Sequence, residues 1–286
     1  MSEVTDKTDS KKIVWLASYP KSGNTWTRCF LDAYFLGDVD LNELLTTVSD
    51  DLAAAHQIGD GSDITEHRFE IQQLTRPMSL LRQVKQYLST SKEIPFFMKT
   101  HNANLLINGT ELIPEVLTKA TIVIIRDPRD VLPSFSSHMG VDLDQGLEWL
   151  QDKYRMLGGK GKTIDFISSW KDHTQSWLNC DTHNIKYFLY EDLQKEPVKY
   201  FSKILEHAGI EPDEDRVIKA LEMIKLERLK NKEAKEGFGE QSPYSKQFFG
   251  AKHETPTPKQ LHAITKDCSR VLKRLGYEAS RISKVA

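Results

Sequence analysis

The sequence predicts a single α/β domain, a central parallel sheet flanked by helices. Short apolar, β-branched runs recur at Ile13 to Ala17, Pro95 to Met98, Thr121 to Ile125 and Ile185 to Leu189. Each is bounded by polar residues and followed by apolar residues at helical spacing, the rhythm of strands alternating with helices. Thr121 to Ile125 is continuously apolar, as a strand covered on both faces must be. A chain of 286 residues, 39% hydrophobic and 28% charged, can bury one large core.

Taken in order, Met1 to Lys12 is polar and charged, so it reads as a disordered tail and not a secretory signal. The domain is expected over residues 13–280. Within it, residues 40–90 hold helical fragments without a clear strand and read as an insertion over one sheet edge. Phe166, Trp170, His173 and Trp177 fall on one helical stripe. Residues 230–258 are polar and rich in Lys, Glu, Gly and Pro, the composition of a long lid-like loop.

Charge and cysteines exclude several classes. Lys and Arg total 39 against 41 Asp and Glu, a net charge of -2, too acidic for a protein that coats nucleic acid. No apolar run approaches the roughly 18 residues of a membrane span. Cys29, Cys180 and Cys268 are odd in number and widely spaced, which points to reduced thiols in the cytoplasm. No His, Cys and carboxylate cluster has metal-ligand spacing, so no metal is expected.

The stretch SYPKSGNTW, residues 18–26, joins the first strand to a helix beginning near Thr27. Such a loop exposes backbone N–H groups, and the helix dipole favours an anion there. Lys21 adds a charge, Ser22 and Thr25 add hydroxyls, and Gly23 lets the backbone approach a ligand. The ATP-binding loop G-x-x-x-x-G-K-[ST] is not met, since its first Gly and terminal Lys are missing. GGKGKT, residues 158–163, also fails that pattern and reads as a solvated loop.

YPKSGNTW resembles the 5′-phosphosulfate loop of the cytosolic-type sulfotransferases, which use 3′-phosphoadenosine 5′-phosphosulfate as sulfuryl donor and release 3′-phosphoadenosine 5′-phosphate. Two further blocks follow in that family's order. FFMKTH, Phe96 to His101, resembles its KTH block, in which the His is the catalytic base. VIIRDPRDVLPSF, Val123 to Phe135, carries an Arg and a Ser at the spacing of its 3′-phosphate site, here Arg126 and Ser134. In that block Asp127 reads as a helix N-cap and Pro128 as the first helical residue. Pro133 inside the helix leaves two readings, a kink or a restart. FLYEDL, Phe188 to Leu193, resembles the turn whose Tyr contacts adenine, here Tyr190.

The resemblance implies a P-loop-like sulfotransferase fold and a set of roles. Catalysis falls to His101 as base, with Lys21 and Lys99 stabilising charge on the transferring group. Lys21, Ser22, Gly23, Asn24 and Thr25 hold the 5′-phosphate, Arg126 and Ser134 the 3′-phosphate, and Trp26 and Tyr190 the adenine. The acceptor is a small molecule with a hydroxyl or amine, lined by residues 40–90 and 138–165. Two departures stand out. Asn102-Ala103 replace the family's Leu-Pro after the His. Lys246 to Gln260, KQFFGAKHETPTPKQ, lacks the family's Arg-Lys-Gly clamp on the 3′-phosphate, leaving Lys246 or Lys252 to supply a charge. Two other readings stay open: a kinase with Asp127 on magnesium, and a nucleotide-binding protein without catalysis. Oligomeric state is not legible.

Overall fold

The computed structural model describes residues 13–44, 80–85, 87, 94–107, 109–158, 164–240, 243–244 and 247–277. The expected tail, most of the 40–90 insertion and residues 159–163 of the GGKGKT stretch lie outside them.

Four parallel strands form the central sheet in the order β2-β1-β5-β8. They are β1 (Ile13–Ser18), β2 (Phe96–Thr100), β5 (Thr118–Ile125) and β8 (Ile185–Leu189). Two small antiparallel ribbons flank it, β3 (Leu106–Ile107) with β4 (Thr110–Glu111), and β6 (Met156–Leu157) with β7 (Asp165–Phe166). Each sheet strand falls on a predicted run, with β5 starting three residues before Thr121, β1 ending one residue past Ala17, and β2 starting and ending later than Pro95 to Met98, which carries Lys99 inside the strand. Phe166 lies on β7, outside the helix that its stripe partners Trp170, His173 and Trp177 share.

The helices are α1 (Asn24–Leu36), α2 (Pro128–Met139), α3 (Leu143–Gln151), α4 (Trp170–Leu178), α5 (Tyr190–Lys195), α6 (Pro197–His207), α7 (Glu214–Met223), α8 (Leu226–Glu236) and α9 (Pro258–Leu275). Because strand side chains alternate, the sheet has two buried faces. Val14, Leu16, Ile122 and Ile124 pack with α1, α6 and α7, whereas Ile13, Trp15, Val123 and Ile125 pack with α2, α4 and α9. The predicted loop 230–258 is helical as far as Glu236: Leu229 and Glu233 bury one face of α8, and Gly237 at φ 79° ends it. Residues 237–257 then run to α9, which opens with a Thr257–Gln260 capping box.

Connection direction positions the site. The chain leaves β1 toward β2 on one side, and leaves β5 toward β8 on the other. Loops that diverge from adjacent parallel strands open a crevice at their carboxyl ends. The β5–α2 turn is locked by Asp127, whose carboxylate accepts from the Arg129 backbone N–H at 2.9 Å and pairs with the Arg129 guanidinium at 2.6 Å. Both residues are buried. The helix continues through Pro133 without a restart, at the cost of one backbone bond.

Asp127→Asn keeps the cap but removes the carboxylate charge that faces the buried Arg129 guanidinium. It is expected to lower unfolding stability by about 3–5 kcal/mol. Urea denaturation checks this, and a loss below about 1 kcal/mol would contradict the buried-pair account.

Candidate functional site

A cavity of about 1320 Å³ opens at the crevice, lined by Lys21, Gly23, Thr25 and Trp26 from the first loop, Lys99 and His101 from β2, and Arg126 and Ser134 from β5–α2. Tyr190, Glu240, Phe248 and His253 also line it. Most of the predicted residues therefore meet on one wall.

The loop after β1 winds tightly, with Lys21 at φ 66° and Gly23 at φ 103°. This winding turns successive side chains in different directions. Lys21 faces the cavity, while Ser22 is fully buried and its hydroxyl has no hydrogen-bond partner. Asn24 points back to the sheet, donating to the Leu16 carbonyl at 3.1 Å and the Ser18 hydroxyl at 3.2 Å. The Ser22 hydroxyl is thus turned away from the cavity, and Asn24, which also lines it, braces the end of β1 through its side-chain amide. Gly23 lines the cavity and also makes a close approach within the protein. A Cβ there would stand 2.5 Å from Cδ2 of Tyr190, so the ring packs directly on the glycine backbone.

His101 follows β2 directly. Its Nδ1 lies 2.8 Å from the Ser18 carbonyl oxygen, which can only accept, so Nδ1 carries the hydrogen and Nε2 keeps its lone pair. Burial first, and then the Lys99 charge, hold its pKa well below 6.5, so the ring is neutral near pH 7. The next residue explains the Asn102 departure. Buried Asn102 donates to Asp165 at 2.9 Å and accepts from the Phe166 N–H at 2.8 Å, tying the turn after His101 to β7.

The cations converge. Burial, then Arg126, pull Lys21 down to about 7, and its Nζ lies 3.7 Å from the centroid of the Phe248 ring. Among the described residues Lys21 forms no ion pair. Arg126 donates to the Lys21 carbonyl at 3.1 Å, bridging the crevice, and its guanidinium sits over the Tyr190 ring at 4.8 Å. Its Nε is buried without a partner. Beside Arg126, Asp127 pairs with the Arg129 guanidinium. The same pairing overturns Asp127 as a magnesium ligand, since its carboxylate is buried and held by a guanidinium.

Three residues escaped the sequence reading. Glu233 on α8 accepts from the backbone N–H groups of Phe248 and Phe249, at 3.0 Å for the latter, seating the two Phe. Glu240 pairs with Arg28 and Lys99. His253 lines the cavity where Lys252 does not, and burial followed by the charges of Lys21 and Arg126 lowers its pKa. The polar neighbours of these residues gave no periodic or motif signal. Lys246 lies outside the described residues. No group of three or more His, Cys, Asp or Glu suited to a metal occurs among the described residues.

Gly23→Ala is expected to strain the loop by about 1–3 kcal/mol and to displace the Tyr190 ring from Arg126 and Trp26. Thermal unfolding and Trp fluorescence check it; an unchanged melting temperature with an unchanged spectrum would contradict the packing described.

Residues 11–276 match the Sulfotransferase domain family. Luciferin sulfotransferase of Photinus pyralis is 26% identical over 247 residues, covering 79% of this chain and 58% of the relative. Amine sulfotransferase of Oryctolagus cuniculus is 25% identical over 230 residues, covering 76% and 65%. The chain thus spans less than two thirds of the length of these relatives. Among solved structures, retinol dehydratase in complex with androsterone and the inactive cofactor PAP superposes with a TM-score of 0.55 at 16% identity, covering 93% of this chain and 80% of that one. A mouse sulfotransferase complexed with PAP gives 0.50 at 19% identity, covering 97% and 89%. These likenesses establish the fold, and the domain match from end to end of the described sheet establishes the kinship: the chain belongs to the sulfotransferase family.

Proposed function

We propose that the protein transfers a sulfuryl group from 3′-phosphoadenosine 5′-phosphosulfate to a hydroxyl or amine of a small-molecule acceptor in the cytoplasm. One observation carries this reading: a neutral imidazole of fixed tautomer shares a cavity with Lys21, Lys99 and Arg126. Relatives named as luciferin and amine sulfotransferases support the acceptor chemistry. The widely spaced free cysteines support the compartment, and no described helix is long and apolar enough to cross a membrane.

The residues fit a polyanionic nucleotide on structural grounds. Arg126 keeps a buried Nε without a partner, and Lys21 faces an aromatic ring where a carboxylate would neutralise it. The start of α1, with Lys21 and Thr25, would hold the 5′-phosphate. Arg126 and Ser134 would hold the 3′-phosphate, with His253 in place of the missing clamp. Trp26 and Tyr190, edge to face at 5.9 Å, would contact the adenine. When bound there, the donor supplies the sulfuryl group.

The remaining chemistry belongs to the protein. His101 Nε2 accepts the proton of the acceptor hydroxyl or amine, while the Ser18 carbonyl holds the opposite edge of the ring. Lys21 and Lys99 offset negative charge around the transferring group, the main demand of such in-line transfers. A purely binding role would leave this oriented base without a task. The lid reading of the 230–258 stretch is supported by Glu240, Phe248 and His253, which line the cavity from it.

His101→Ala is expected to leave nucleotide affinity nearly unchanged and to reduce turnover by roughly 10²–10⁴-fold. Donor-dependent sulfation, read by mass spectrometry, checks it; wild-type turnover on the best acceptor removes His101 from the mechanism. Calorimetry is expected to show that 3′-phosphoadenosine 5′-phosphate binds at least about tenfold tighter than adenosine 5′-phosphate, since bidentate Arg contacts to phosphate are strong. Equal affinities would sink the 3′-phosphate assignment.

A further inference from the structure

Glu240 stands in the segment 237–257, and no motif singled it out. Its carboxylate meets Arg28 Nη1 through both oxygens, at 2.8 and 2.9 Å. Arg28 lies on α1 and is fully buried, and the pair places Glu240 against that helix. Lys99 Nζ approaches Glu240 Oε2 at 3.4 Å, a looser contact than either Arg28 bond. One carboxylate therefore joins α1, β2 and the segment that covers the cavity. Burial acts to raise the Glu240 pKa, but Lys99 and Arg28 together pull it down to about 2, so it is ionised throughout the working range.

We infer that Glu240 is a positioning residue: anchored by Arg28, it holds Lys99 beside His101 on the cavity wall. What Lys99 then does rests on the sulfuryl-transfer reading; where Lys99 stands does not. Its looser contact leaves the ammonium able to turn toward an incoming anion, while the bidentate Arg28 pair keeps the segment in place.

The charges around the pair fix the sign of the test. Lys99 faces Glu240, Arg28 of α1, Asp165 of β7 and Lys21 of the first loop; Glu240 and Asp165 favour its ammonium, while burial, Arg28 and Lys21 oppose it. His101 faces Lys99, Glu240, His173 of α4 and the Ser18 carbonyl. Removing the Glu240 charge withdraws support from the ammonium, so the Lys99 pKa must fall further.

The experiment is competitive labelling of the full chain with trace acetic anhydride at pH about 6 to 11, with the Lys99 peptide read by mass spectrometry. In Glu240→Gln the Lys99 midpoint is expected to fall by on the order of one pH unit, as loss of a close counter-charge predicts. Lys171, paired with Asp267 at 2.8 Å, should not move. Glu240→Asp keeps the Arg28 pair but draws the carboxylate back from Lys99, so a smaller fall is expected; it carries the test if the Gln variant does not fold. With an acceptor in hand, the alkaline limb of kcat should shift downward by the same amount, which a merely structural role would not produce. A shifted midpoint without turnover in either protein supports this inference and counts against sulfuryl transfer. An unshifted Lys99 midpoint overturns the inference whatever the turnover.

Discussion

Concentrated positive charge is the constraint around which the structure is arranged. Lys21, Lys99 and Arg126 converge on one cavity from three adjacent parallel strands. Each loses solvation there and repels the others, and Lys21 is drawn down to about 7 as a result. The fold offsets part of this with acids from a single late stretch of chain. Glu240 meets Lys99 directly, while Glu233 bears on Lys21 from α8 and holds the two Phe over the site. The remainder is left for an anionic ligand, and a site with unfilled affinity for negative charge is what a phosphosulfate donor requires.

Fixing these cations takes rigid support beneath them. Asp127 locks the turn that carries Arg126, and Glu191 links that turn to the one bearing Tyr190, accepting from the Asp127 N–H at 3.1 Å and from the Tyr277 hydroxyl at 2.7 Å. Tyr277 follows α9, so this last helix braces the turns that carry Arg126 and Tyr190. On the acceptor side, the Ser18 carbonyl sets the tautomer of His101, and Asn102 anchors the turn behind it. His101 on one side and Arg126 and Tyr190 on the other thus rest on separate supports that meet at β1.

Much of this was legible in the sequence because strand ends and helix starts carry strong local signals. The four apolar runs placed the sheet, and Lys21, Thr25, His101, Arg126 and Ser134 followed from blocks at its edge. Side-chain direction within the loop was not legible: positive φ at Lys21 and Gly23 turns Ser22 inward and Asn24 back to β1. The lid was misjudged for another reason. A polar, Lys- and Glu-rich stretch reads as loop until Leu229 and Glu233 are seen to bury one face of a helix. Glu240 was hidden because its partner Arg28 lies far away in sequence, and no local pattern marks an acid as paired. Likewise His253 carries no motif of its own; only the cavity brings it together with Lys21 and Arg126.

The charge-deficient cradle is tested most directly by the protons that accompany an anion. Calorimetric titration of the full chain with 3′-phosphoadenosine 5′-phosphate, at pH about 8 in buffers of different ionisation enthalpy, counts them. Lys21 is partly uncharged at that pH, and a bound polyanion favours its ammonium and the imidazolium of His253. Net proton uptake on binding is the predicted result. A binding enthalpy independent of the buffer, or net proton release, would contradict the account.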